Sequence, residues 1–222
     1  MLSLVIAESA LELVPKEIQR HNSVLASAKR LDKKPSQILL DVSWHFAAMK
    51  GMKNEIKRGR PDLIHFCLLE ASNIPIYFTN NLQVFVHTID DNVIFLDKSV
   101  RLPKSYHRFA GVVEKLYSKG RIEEDGKNLL EIKKMSFEDL VKKIKPRHVI
   151  GLSSKGIPSS YHQLAEEADR DTCIVVGGFA KGQFSDDVKK YFDKTVSVDK
   201  SPLEAHVIIS RILYECEKRI IM

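Results

Sequence analysis

From Arg147 onward, short apolar runs alternate with amphipathic stretches, and glycines follow the runs. The runs at 148–152, 173–177 and 195–198 are rich in β-branched residues and have the length of buried strands. The stretches at 159–170, 186–193 and 202–219 carry the spacing of helices. Strands separated by helices pair in parallel, and the helices cover the faces of the sheet. In such a sheet ligands sit beyond the carboxyl ends of the strands. The pattern therefore predicts an α/β fold and says where a site belongs.

Upstream, apolar runs predict strands at 2–7, 37–42, 75–79, 83–89, 93–97 and 129–133. Asp90-Asp91-Asn92 separates two alternating runs and predicts a hairpin. Helices are expected at 15–29, 43–53, 61–71, 105–118 and 136–144. Gly120–Asn128 is polar, holds two glycines and is expected as an exposed loop. The last helix shows Leu203, Val207, Ile208, Ile212, Leu213 and Cys216 along one stripe, which suits core or a subunit interface. With 222 residues and no internal repeat, the chain is expected to form one domain, 1–222.

The charge is uneven. The chain carries a net +6, and the window Lys98–Arg121 alone holds seven basic residues against Glu114. A second cluster, Lys50–Arg60, has five basic residues against Glu55. Clustered charge of one sign favours a polyanionic partner, although a solvated face remains the plain alternative. No run reaches the length of a membrane span, and the N-terminus meets Glu8 too early for a signal peptide, so no membrane partner is expected. Three cysteines spaced far apart exclude a CxxC knuckle or a disulfide framework; no metal is expected, and an intracellular setting is.

Familiar catalytic motifs are absent: there is no HExxH, GxSxG or GxGxxG. Gly151–Gly156 has phosphate-loop spacing, but Ile157-Pro158 follows where Lys-Ser/Thr must stand. His45, His65 and His87 lie in apolar surroundings and suit satisfied core positions, as Cys67 suits a buried thiol. Two sites survive. The loops Gly151–Gly156, Gly177–Gly182 and Val196–Ser201 follow three successive strands, and together they can wrap a ligand the size of adenosine. Arg58-Gly59-Arg60-Pro61-Asp62 and Arg101–Phe109 crowd basic groups beside aromatic ones, which suits phosphates with a base to stack. Lys104 and Arg108 are four apart and are expected on one helical face.

These segments resemble a known family. ALELVP (10–15), LLD (39–41), RGRPDLIH (58–65), VHTID (86–90), RLPKSYHRFAGVVEKL (101–116) and VGGFAKGQF (176–184) together resemble the N1-specific pseudouridine methyltransferases of small-subunit ribosomal RNA, a SPOUT-superfamily group of ribosome biogenesis. The resemblance implies a SPOUT-like parallel sheet flanked by helices, a C-terminal trefoil knot, and a β-hairpin/helix insertion at 80–120 that binds RNA. It implies a homodimer, S-adenosylmethionine as methyl donor, and rRNA as substrate, in the cytoplasm or in the nucleolus of a nucleated cell. By matching motif positions, Leu152, Gly177, Gly182, Gln183, Phe184 and the run Ser197, Val198, Asp199, Lys200, Ser201 and Pro202 would line the donor. Arg60, Arg101, Lys104 and Arg108 would meet RNA, with Asp62 bracing Arg60. Lys104 stands where relatives often carry arginine and would meet phosphate without a bidentate fork. The motifs name no catalytic proton acceptor. Two alternatives stay open at this point: methylation of another RNA atom, and an RNA-binding assembly factor without turnover.

Overall fold

A computed structural model describes residues 1–169 and 171–220. Eight strands form one sheet: β1 (Leu2–Ser9), β2 (Leu82–Thr88), β3 (Asn92–Leu96), β4 (Arg121–Glu124), β5 (Lys127–Lys134), β6 (His148–Pro158), β7 (Thr172–Gly177) and β8 (Lys194–Ser197). Their order is β4-β5-β3-β2-β1-β7-β6-β8. The run β2-β1-β7-β6-β8 is parallel throughout. Antiparallel pairs join β2 to β3, β3 to β5 and β5 to β4. The sheet is therefore mixed, and the hairpin strands extend it rather than standing apart from it.

β1 is buried along its whole length, as a strand covered on both faces must be. Its alternation sends Leu2, Leu4 and Ile6 to one core and Val5 and Ala7 to the other. The first core is closed by α3 (Pro61–Ser72), α5 (Tyr106–Lys119), α7 (Tyr161–Glu167) and α9 (Ala205–Ile220). The second is closed by α6 (Phe137–Ile144) and the single turn α8 (Asp186–Lys189). A third cluster lies between α1 (Asn22–Arg30) and α2 (Val42–Met49), around Val24, Leu40 and Met49. Of the expected stripe, Ile212, Leu213 and Cys216 are fully buried beside Ile209, whereas Leu203, Val207 and Ile208 are half-buried.

Several expectations are corrected. The strand expected at 75–79 is the short helix α4 (Pro75–Phe78): Pro75 fits its first turn, and the Ile76 amide donates to Glu217 Oε2 at 3.0 Å. The strand expected at 37–42 reduces to one bridge, Leu13 to Leu39, between a 3-10 turn at Pro35–Gln37 and α2, which Asp41 caps. The helix expected at 15–29 breaks into a 3-10 turn (Lys16–Ile18) and α1, because the His21 ring accepts the Ser23 amide and caps a new start. The loop expected at 120–128 holds β4 and its turn; a strand this polar suits the edge of a sheet. The helix expected at 159–170 ends at Glu167, and residue 170 lies outside the described residues.

The stretch Gly151–Gly156, expected as a loop, belongs to β6, with a register shift against β8 between Leu152 and Ile157. Its glycines serve close approach. A Cβ at Gly156 would lie 2.5 Å from the Val196 backbone, and one at Gly151 would lie 2.2 Å from the Phe192 ring.

Candidate ligand cavity and cationic surface

The middle of β6 and the carboxyl ends of β7 and β8 border a cavity of about 480 Å³. It is walled by Leu152–Ser154, Val176–Gly177, residues 179–184, the loop after β8 and the start of α9. Of the expected donor-binding residues, Leu152, Gly177, Gly182, Gln183, Phe184, Ser197, Val198, Asp199, Ser201 and Pro202 all line it. Lys200 does not; it is exposed. Ser153 and Phe179, inside the expected ligand loops but not singled out, also line it, as do Glu204 and Ile208, which lie outside those loops. Phe179 stood inside the quoted glycine motif, so its signal was present. Glu204 had none beyond its place just ahead of a helix.

The walls are pinned by hydrogen bonds. Ser153 Oγ donates to Gln183 Oε1 at 2.8 Å, tying the end of β6 to the loop after β7. The Ser201 amide donates to Asp199 Oδ1 at 2.8 Å, and Ser197 Oγ donates to the Asp199 carbonyl at 2.9 Å, folding the loop after β8 on itself. Gly182 has φ +110°, a conformation open to glycine and strained for other residues. A Cβ at Gly177 would stand 2.7 Å from the Phe179 ring, which itself packs on Phe184 at 5.5 Å. Glu8, at the end of β1, accepts the Ser185 amide at 3.1 Å and Lys57 Nζ at 2.9 Å. Lys57 Nζ in turn lies 4.6 Å from the Phe179 ring centroid. A strand end, a distant lysine and the glycine loop thus hold one another.

The cationic motif lies nearby. Pro61 is the first residue of α3, and the Arg60 guanidinium grips Asp62 through two bonds, Nε to Oδ1 at 2.8 Å and Nη2 to Oδ2 at 2.9 Å. That pairing raises the Arg60 pKa first of all; the charges of Glu204, on the cavity wall, and of Asp41 add to it. Lys57, three residues ahead of Arg60, lies against the cavity loop, its stem 3.3 Å from an ideal Cβ at Gly182. Arg101 packs over the Phe78 ring at 4.9 Å and donates to the Val100 carbonyl. Lys104 and Arg108 are exposed, with no ion pair to either among the described residues. The shared helical face expected for them is corrected: α5 begins at Tyr106 with Ser105 as an extended cap, so Lys104 precedes the helix. The Pro103 carbonyl there bonds His65 Nε2 at 2.7 Å, holding the approach to α5 against α3.

The model for the EMG1/NEP1 methyltransferase family matches residues 4–217. The chain belongs to the EMG1/NEP1 methyltransferase family. It is 36% identical over 218 residues to "Ribosomal RNA small subunit methyltransferase Nep1" of Staphylothermus marinus, covering 97% of this chain and 95% of that one. It is 37% identical over 220 residues to the protein of the same name from Thermococcus kodakarensis, covering 98% of each. Among solved structures it resembles Archaeoglobus fulgidus Nep1 bound to S-adenosylhomocysteine, with a TM-score of 0.88, 34% identity and 97% of both chains covered.

The other groups singled out in the sequence fall outside this EMG1/NEP1 site. Cys67, Cys173 and Cys216 are buried, unpaired thiols, and burial pushes Cys173 and Cys216 up to about 12, which leaves them protonated and inert. His65 and His87 are buried with both geometry and partners of core residues. No group of three or more His, Cys, Asp or Glu side chains is placed to hold a metal, and no helix is long and apolar enough to cross a membrane, among the described residues.

Proposed function

We propose that this chain transfers the methyl group of S-adenosylmethionine to N1 of a pseudouridine in small-subunit rRNA during ribosome biogenesis. The observation that carries the reading is a donor-sized cavity whose Gly182 loop lies against Lys57, three residues ahead of the Arg60–Asp62 pair. The residues present fit the donor. Leu152, Val176 and Ile208 offer apolar walls for an adenine ring, while Asp199 and Glu204 offer carboxylates toward a cationic sulfonium. Gly182 permits a backbone turn that brings loop amides and carbonyls close to a ligand.

The donor supplies an electrophilic methyl carbon on sulfur. Pseudouridine keeps an N–H at N1, because its glycosidic bond runs to carbon. The donor, when bound, would give that methyl group to N1 and keep the S–C bonding pair on sulfur, and the displaced N1 proton would pass to water. The chain's own part is positional. Arg60, Arg101, Lys104 and Arg108 hold flanking phosphates, and the cavity wall holds the base in line with the methyl group. Asp62 keeps Arg60 aimed, with both of its oxygens engaged by that guanidinium.

The reading extends to a trefoil crossing of the chain at the cavity loops, supported by the likeness to the SPOUT group, and to residues 80–120 as the RNA-binding segment. It also extends to a homodimer. Phe66 on α3 and Tyr214 on α9 are each about half exposed on helices that pack together, and apolar side chains left outside the core suit a two-fold interface. The site of action is where ribosomes are assembled, the cytoplasm or nucleolus.

The test offers matched rRNA hairpins bearing uridine or pseudouridine, with donor, followed by mass analysis of the nucleosides. Methylation of the pseudouridine base alone is expected. Ribose methylation, or equal turnover of the uridine hairpin, would overturn the choice of N1.

A further inference from the structure

A second cavity, of about 420 Å³, lies between α1, α2 and α5, away from the donor cavity. Its wall includes Arg30, Asp41, Trp44, His45, Tyr106 and Glu114. His45 is 2% exposed, and its Nδ1 accepts the Asp41 amide at 3.0 Å. Nδ1 is therefore the unprotonated nitrogen, and Nε2 carries the hydrogen. That Nε2 is buried and has no partner. A buried donor without an acceptor is costly, and the residue that carries it lines a space large enough for a ligand. Trp44 lies beside it, 49% exposed, with the Arg30 guanidinium 3.5 Å from its ring centroid.

The surroundings narrow the ligand. The Val42 amide, in the first turn of α2, donates to the Gly59 carbonyl at 2.8 Å, directly ahead of Arg60. The opposite wall is α5, where Tyr106, His107, Ala110 and Gly111 line the cavity around exposed Arg108. The cavity thus opens between the two basic segments assigned to RNA. An exposed indole offers a stacking surface, an imidazole N–H seeks a ring nitrogen or carbonyl, and Arg30 adds a cation.

We propose that this cavity takes one unstacked base of the bound RNA, other than the base that is methylated, stacking it on Trp44 with its edge toward His45 Nε2. The proposal rests on the RNA reading above and deepens it. A protein segment seated there is the competing occupant.

Trp44 is the chain's single tryptophan, so its fluorescence reports this cavity alone. The full-length protein is titrated with short oligoadenylate and with an abasic ribose-phosphate oligomer of equal length. Binding is followed in parallel by anisotropy of a label on the oligomer. Oligoadenylate should quench Trp44 and the abasic oligomer should not. Trp44→Ala should weaken oligoadenylate about tenfold and leave the abasic oligomer unchanged, with Trp44→Phe restoring most of the loss. Thermal melting confirms that both variants are folded; the indole is half exposed, so the core stays filled. Binding by anisotropy with unquenched Trp44 and unchanged Trp44→Ala affinity would overturn the cavity proposal, leave the RNA surface standing, and turn attention to a protein segment. No binding of either oligomer or of an rRNA hairpin would overturn both.

Discussion

Lys57 Nζ lies 2.9 Å from Glu8 Oε2, and the same carboxylate accepts the amide of Ser185 across 177 positions of chain. Glu8 itself is buried at φ +49°, in the left-handed region that side chains adopt at a cost. The end of β1 is thus held bent by the contacts it makes to Lys57 and to the loop after β7. Replacing Glu8 by Ala leaves Lys57 nearly buried without its partner and frees the Ser185 amide. The expected result is a loss of about 3 kcal/mol in stability, with weaker S-adenosylmethionine binding. Chemical denaturation and calorimetry measure the two. A variant of wild-type stability and donor affinity would show that the clamp is idle.

Gly182→Val should weaken donor binding while RNA affinity stays near wild type. The cause is local: φ +110° is unfavourable for valine, and the branched Cβ would press on the Lys57 stem, 3.3 Å from the ideal Cβ position. Calorimetry with donor and filter binding with RNA separate the two effects. Unchanged donor affinity in a folded variant would remove this loop from the donor site.

Arg108→Ala should cost roughly 1–3 kcal/mol in RNA affinity and flatten the salt dependence by about one contact. Its guanidinium has no ion pair among the described residues, so the melting temperature should hold. A salt series of RNA binding, run beside a thermal melt, decides. A falling melting temperature with normal RNA binding would assign Arg108 to structure.

Acid should destabilise the fold through His87 and His45. Burial lowers both pKa values below 6.5; for His87 it outweighs the opposing pull of Asp91 at Nε2, and the Glu8 amide donating to Nδ1 suits the neutral ring. A histidine with a depressed folded pKa contributes stability that is complete above 6.5 and is lost as the pH falls through the folded value. Denaturation at several pH values between neutrality and about 5 should therefore show a falling midpoint. His87→Asn should be less stable at neutral pH and lose less on acidification. Equal acid sensitivity in wild type and variant would shift the cause elsewhere.

The parallel half of the sheet was largely legible in the sequence, because strands alternating with helices impose a periodic pattern that needs no distant partner, and the family motifs named residues that line one cavity. Leu152, Gly177 and Phe184 fell where the motifs placed them, on one cavity. Local pattern failed where a distant side chain decides the structure. Pro75–Phe78 reads as a strand until Glu217, far along the chain, takes the Ile76 amide. Gly151 and Gly156 suggested a turn, yet each makes room for a neighbour, Phe192 or the Val196 backbone. The cavity beside His45 and Trp44 had no signal at all, since its walls come from three helices whose meeting only the fold creates.

β1 is paired on both sides, with β2 at one flank and β7 at the other. A shift of one residue in either pairing would turn Leu4 and Val5 onto each other's faces and so spoil both cores together. Evolution consequently has little freedom at the centre of this molecule. Insertions, deletions and new specificities should collect at the rims, above all at the exposed Asp125–Gly126 tip between β4 and β5. That rim can lengthen while the cavity beside β7 keeps its walls.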